Sequence, residues 1–161
     1  MKPTRKDNFF VLEESKLLEK FDKIFQFKNL SVFDARHAVE EFERHYNLPY
    51  DSFLKVLEKG LKKIEKKFGL NEADNYMIQS YRLGIRIPLE IRFDNKNPNE
   101  MIGVVPTVLA PHEIKNLRNE IEVMVENNKN TFRKFEVCNG FNYFIQSGKV
   151  YSDFEKIIIK E

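Results

Sequence analysis

Two features of the chain predict an α+β fold. In the N-terminal part apolar residues recur at helical spacing, and near residues 70–75 the pattern switches to strict alternation. A third feature, the turn dipeptides Asn139-Gly140 and Ser147-Gly148, adds a β-meander near the C-terminus. Together they predict three N-terminal helices with a mainly antiparallel, bulged sheet of about 4–6 strands and one further helix. Residues 1–70 read as a helical subdomain and residues 71–161 as an α+β sheet subdomain of one compact domain.

The first helix is expected over Asn8–Phe27, where Leu17, Leu18, Phe21, Ile24 and Phe25 follow helical spacing. Its opening, Phe9-Phe10-Val11-Leu12, reads equally as a short strand. The second helix is expected over Val32–Tyr46, opened by a capping box of Ser31 with Asp34. Ala35, Ala38, Val39, Phe42 and Tyr46 make its buried stripe, and Leu48-Pro49 ends it, since a residue before proline is pushed out of the helical region. In the third helix Asp51 is the cap, and Phe53, Leu54, Leu57, Leu61, Ile64 and Phe68 form one apolar seam. Gly69 suits the positive-φ position after it. Gly60 in mid-helix costs up to about 1 kcal/mol against alanine, which points to close packing there.

Leu83, Ile85, Ile87, Leu89, Ile91 and Phe93 then alternate without a break, with Arg82, Gly84, Arg86, Pro88, Glu90 and Arg92 on the other face. Pro88 cannot donate to a ladder, so this strand is expected at a sheet edge or with a bulge. The polar loop Asp94–Glu100 returns the chain into a strand over Met101–Leu109, interrupted by Pro106. A fourth helix is expected from Pro111 to about Asn127, burying Ile114, Leu117, Ile121, Met124 and Val125. Strands Phe132–Cys138 and Phe141–Ile145 flank Asn139-Gly140, and a further strand starts near Lys149. Residues 152–160 read as strand from Ile157-Ile158-Ile159, or as a last helical turn capped by Ser152 and Glu155.

Composition narrows the function classes. Of 161 residues, 27 are basic and 25 acidic, a net charge of +2 that weighs against a dedicated polyanion binder. Hydrophobic residues at 42% exclude a disordered chain. One cysteine, Cys138, excludes an internal disulfide, and no cation or helix N-terminus lies near it to activate the thiol. No apolar run approaches the ~20 residues of a membrane span, so a cytoplasmic protein is expected. Lys, Asn, Phe and Ile are frequent while alanine is scarce, the coding bias of an AT-rich bacterium or phage.

No chemistry stands out. His37, Glu41 and His45 share a helical face, but histidines eight apart are separated by about 12 Å of rise and cannot ligate one metal together. His112 reads as a helix-start residue. No phosphate loop occurs, and no cofactor is expected. The order helix, strands, helix, strand resembles the core of restriction-type nucleases. That family's Glu-x-Lys is replaced here by Glu90-Ile91-Arg92, which leaves metal-dependent cleavage without its lysine. Residues Leu48 to Gly69, LPYDSFLKVLEKGLKKIEKKFG, resemble the second helix of the N-terminal domain of the bacterial transcription factor NusA. The resemblance covers one helix and assigns no residue a role.

The least ordinary feature is charge on the third helix. Lys55, Lys59, Lys62 and Lys66 fall within an arc of roughly 60°, with Lys63 beside them, opposite the apolar seam. Like-charge neighbours one turn apart each cost roughly 0.2–0.5 kcal/mol, offset in part by the helix dipole and by the Glu58–Lys62 pair. The row reads either as a solvated face or as a contact for phosphates or an acidic protein. The expected function is non-enzymatic binding of a macromolecule, a protein in the first reading. In the alternative the lysine row contacts nucleic-acid phosphates, and an enzyme of unrecognised type is third. The strand carrying Arg82, Arg86 and Arg92 is the expected edge for partner pairing or for joining a second copy.

Overall fold

The computed structural model describes residues 11–109, 115–116, 120–129, 131–134, 143–146 and 149–152. Among them the order is β1 (Val11–Leu12), α1 (Glu14–Leu17), β2 (Phe21–Phe27), β3 (Leu30–Ala35), α2 (Ala38–Tyr46) and α3 (Tyr50–Phe68). There follow β4 (Asp74–Ser80), β5 (Ile85–Asp94), β6 (Met101–Val105), β7 (Lys115–Asn116), β8 (Ile121–Met124), β9 (Phe132–Lys134), β10 (Tyr143–Gln146) and β11 (Lys149–Ser152).

The fold is α+β, with a mixed sheet larger than the 4–6 strands expected. Its order is β2-β3-β6-β5-β4-β8-β9, with β1 beside the end of β5, eight strands in all. The pairs β3–β6, β4–β8 and β1–β5 are parallel. A separate three-stranded sheet has the order β11-β10-β7. Gln146 stands opposite Lys149, which fits the reversal expected at Ser147-Gly148. The turn Asn139-Gly140 and residues 153–161 lie outside the described residues.

Three expected helices change. Residues 21–27 are a strand, because pairing with β3 outweighs a helical spacing that has another source. The apolar residues of this strand serve both sides of the sheet: Phe21 packs on Phe33, Ile102 and Val104, whereas Ile24, Phe25 and Phe27 pack on the main core. The register shift between Lys23 and Phe25 makes the change of face. Residues 30–35 are also strand: Ser31 donates to Gln26 at 2.8 Å instead of capping a helix, and the helix begins only at Ala38. Residues 121–124, expected as helix, form β8 between β4 and β9.

The third expected helix holds. α3 buries Phe53, Val56, Leu57, Gly60, Leu61 and Ile64. Pro49, not Asp51, is its N-cap residue, and Asp51 sits in the first turn. Gly69 closes it with φ 77°. A Cβ on Gly60 would lie 2.6 Å from Cγ2 of Ile78, so this glycine lets the helix backbone approach β4.

α2 and α3 share one core with a sheet face that carries Leu30, Val32, Ile78, Ile85, Ile87, Leu89, Ile91 and Val123. Each such side chain contributes about 1.5–3 kcal/mol by leaving water. At the other face Phe33, Ile102 and Val104 form a smaller cluster under Leu12, Leu17 and Phe21. Among the described residues no helix is long and apolar enough to cross a membrane.

The expected edge strand is an interior one. β5 pairs with β4 along Ile85–Ile91 and with β6 along Glu90–Phe93, and Pro88 stands opposite Met77 with no register shift. Proline is tolerated because the β6 pairing stops at Glu90, leaving one side of the backbone without a ladder at position 88. The outermost strands of the sheet are β2 and β9.

Candidate functional site

The buried seam of α3 turns the opposite side of the helix to solvent, and Lys55, Lys59, Lys62 and Lys66 share that exposed strip. Alongside them, Asp51, Glu58 and Glu65 recur every seven residues, which at 3.6 residues per turn keeps them on one line. The two rows pair. Lys55 reaches Asp51 at 3.0 Å and Lys62 reaches Glu58 at 3.1 Å. Glu65 is held by Lys28 of the β2–β3 turn at 2.7 Å. Lys63 leans to the other side and donates to the Asn127 carbonyl at 3.0 Å. Lys59 and Lys66 have no ion-pair partner among the described residues.

The three arginines of the alternating segment are not brought together. Arg82 is exposed in the β4–β5 turn. Arg86 is 6% exposed, opposite Gln79 of β4 in the sheet interior, and therefore offers no contact to a partner. Arg92 is half-buried and donates to Asn75 Oδ1 at 2.7 Å and to the Asp74 carbonyl at 3.2 Å. Burial lowers its pKa, while Glu90 and Asp74 push it back up.

The sequence reading missed a buried carboxylate. Asp34, expected as a helix-capping residue, is 1% exposed near the C-terminal end of β3, opposite Asp22 of β2 and Val105 of β6. The Tyr50 hydroxyl donates to Oδ2 at 2.5 Å, and the Ala35 amide donates to Oδ1 at 2.9 Å. Burial pushes the carboxyl up to about 6, against the lowering effect of those two donors, and Glu41 and Asp22 add to the rise. Burial, then Asp34, pushes the Tyr50 hydroxyl up as well. Next door the Tyr46 hydroxyl donates to the Leu109 carbonyl at 2.5 Å. Asp34 and the two tyrosines thus tie the start of α3 to the end of β3, and α2 to the segment that follows β6. The available signal was Tyr46 and Tyr50, polar-tipped aromatics bracketing a proline turn.

His37 and His45 are exposed, His37 with φ 70° ahead of α2. No group of three or more His, Cys, Asp or Glu side chains among the described residues is placed to hold a metal ion. His112 and Cys138 lie outside the described residues. Searches against known protein families, curated proteins and solved structures find no match to the chain.

Proposed function

We propose that this chain is a non-enzymatic protein-interaction module whose contact surface is the outer face of α3. The observation that carries the reading is the striping of that face. An acidic row, Asp51, Glu58 and Glu65, runs beside the lysine row and neutralises part of it. A phosphate backbone laid along the lysines would meet those carboxylates as like charges. A protein surface with the opposite alternation would pair with both rows, and charge complementarity of this kind sets register and partner choice.

A photo-crosslinking residue at Lys62, in cells that express the chain naturally, tests the reading. A discrete adduct with one protein is expected, resistant to nuclease, absent when the crosslinker sits at Glu40 of α2, and lost with Lys59→Glu and Lys66→Glu. No discrete adduct, or one equally strong from position 40, overturns it.

That Lys59 and Lys66 have no ion-pair partner among the described residues favours a second reading, binding of nucleic-acid phosphates. Salt-titrated anisotropy with labelled DNA decides it: log affinity should fall against log salt by about 0.9 for each phosphate neutralised. Replacing Lys59, Lys62 and Lys66 by Gln should then shrink the slope by up to about three units, whatever the base sequence. No binding at low salt removes this reading.

A further inference from the structure

A cleft of about 460 Å³ opens where α1 meets the start of β2 and the β5–β6 turn, at Asn95. That size lies within the range of small-molecule sites, roughly 300–1,000 Å³. Its floor is apolar: Leu12, Leu17 and Phe21 are each only half-buried and pack on the fully covered Phe33, Ile102 and Val104 beneath. Its rim is cationic, with Lys16 and Lys20 both exposed.

The one acid in the lining is already engaged. Glu13 accepts from the Asn95 side-chain amide at 2.9 Å and lies 3.9 Å from Lys16, beyond hydrogen-bond distance. Lys20 has no ion-pair partner among the described residues. The backbone fixes the arrangement from both sides: the Lys20 amide donates to the Leu17 carbonyl at 3.0 Å, and the Asn95 amide donates to the Leu12 carbonyl at 2.9 Å.

We infer that this cleft binds a small amphiphilic acid, an apolar body with a single anionic head. The body would cover Leu12, Leu17 and Phe21, which water now reaches, and burying apolar surface drives such binding. The head would sit between Lys16 and Lys20, whose flexible stems allow each ammonium to approach an oxyanion. A neutral amphiphile would gain only the first term, and a cationic one would be repelled at the rim. The inference stands apart from the α3 reading, since none of the lining residues belongs to that helix.

Anilinonaphthalene sulfonate, an aromatic body with one sulfonate, is the probe. Titrated against the whole chain, it should give a saturable fluorescence gain at one equivalent. Decanoate, below its micelle-forming concentration, should displace it, and decanol of equal chain length should do so about tenfold less well. The double variant Lys16→Glu/Lys20→Glu should weaken probe and decanoate about tenfold or more with the melting temperature unchanged. Lys59→Glu/Lys66→Glu should leave both affinities as they were. An absent or unsaturable gain, equal displacement by decanol, or an affinity that survives the rim reversal overturns the site.

Discussion

Gly60 shows how much a single hydrogen atom in place of a methyl group can matter. Alanine would improve helix propensity by about 1 kcal/mol. Its Cβ, however, would meet three atoms of Ile78 at 2.6–2.9 Å, and Ile78 is fully buried. Overpacking of that kind costs roughly 1–3 kcal/mol, so Gly60→Ala is expected to lower stability despite the better helix former. In an Ile78→Ala background the same change should turn neutral or stabilising, a reversal that denaturation of the four proteins of the cycle would detect. Asp34 supplies a second test. Its carboxyl is raised to about 6 from an ordinary 3.8, so the folded state holds the proton more tightly than the unfolded chain. The stability it contributes is full below about pH 4, fades as pH rises, and is gone above about pH 6, a change on the order of 2–3 kcal/mol. Asp34→Asn keeps an acceptor for the Tyr50 hydroxyl but has no charge to bury. The difference in unfolding free energy between wild type and variant should therefore shift in the wild type's disfavour between pH 4 and pH 6. A flat difference would show that Asp34 ionises as freely folded as unfolded.

At the scale of elements, α3 was legible because nineteen residues keep one seam and end on a glycine, and no competing pairing acts on it. β2 was not. Its apolar residues face opposite sides of the sheet before and after a bulge, which breaks the alternation of a strand, and only the neighbouring β3 reveals that the chain is extended there. β5 was legible as a strand and illegible as an interior one. Its arginines and proline suggest a solvent face, whereas Arg86 and Pro88 are buried. Of the candidate site, the lysine row was legible from helical geometry alone, but the acids that partner it one turn earlier became significant only once distances were known. The buried Asp34 was hidden by its place in a plausible capping box. The position at which proline would cut the ladder is Ile87, not Arg86. Pro88 turns its nitrogen to the side without a ladder, Arg86 two residues away turns its amide the same way, and Ile87 between them faces β4 opposite Ile78. Ile87→Pro leaves a carbonyl of β4 unsatisfied, at a cost of about 1–3 kcal/mol. A clear fall in the urea midpoint is expected, measured by circular dichroism, and a midpoint within error of wild type would mean that β5 is not paired to β4 there.

For the whole molecule, the sheet order ranks its parts by stability. Amide exchange should be slowest in β5, β4 and α3, which lie at the centre of the core, and faster in α1 and in the outward amides of β2. Exchange from β2 as slow as from β5 would indicate that something covers its outer side in solution. The parallel seam between β3 and β6 has a consequence for how the chain reaches this state. Leu30 pairs with Met101 and Asp34 with Val105, so the seam joins segments separated by α2, α3, β4 and β5. The β2–β3 hairpin and the β4–β5–β6 meander are each local and can form early, but uniting them closes a long loop whose entropy is lost before the seam repays it. The seam is then the late step of folding. Val32→Ala, opposite Gly103 at its centre, should speed unfolding and leave the refolding rate nearly unchanged in stopped-flow chevrons. Until that step completes, the inner backbone edges of both halves stand open to other chains, so the yield of refolding should depend on protein concentration even though the native sheet has closed that seam.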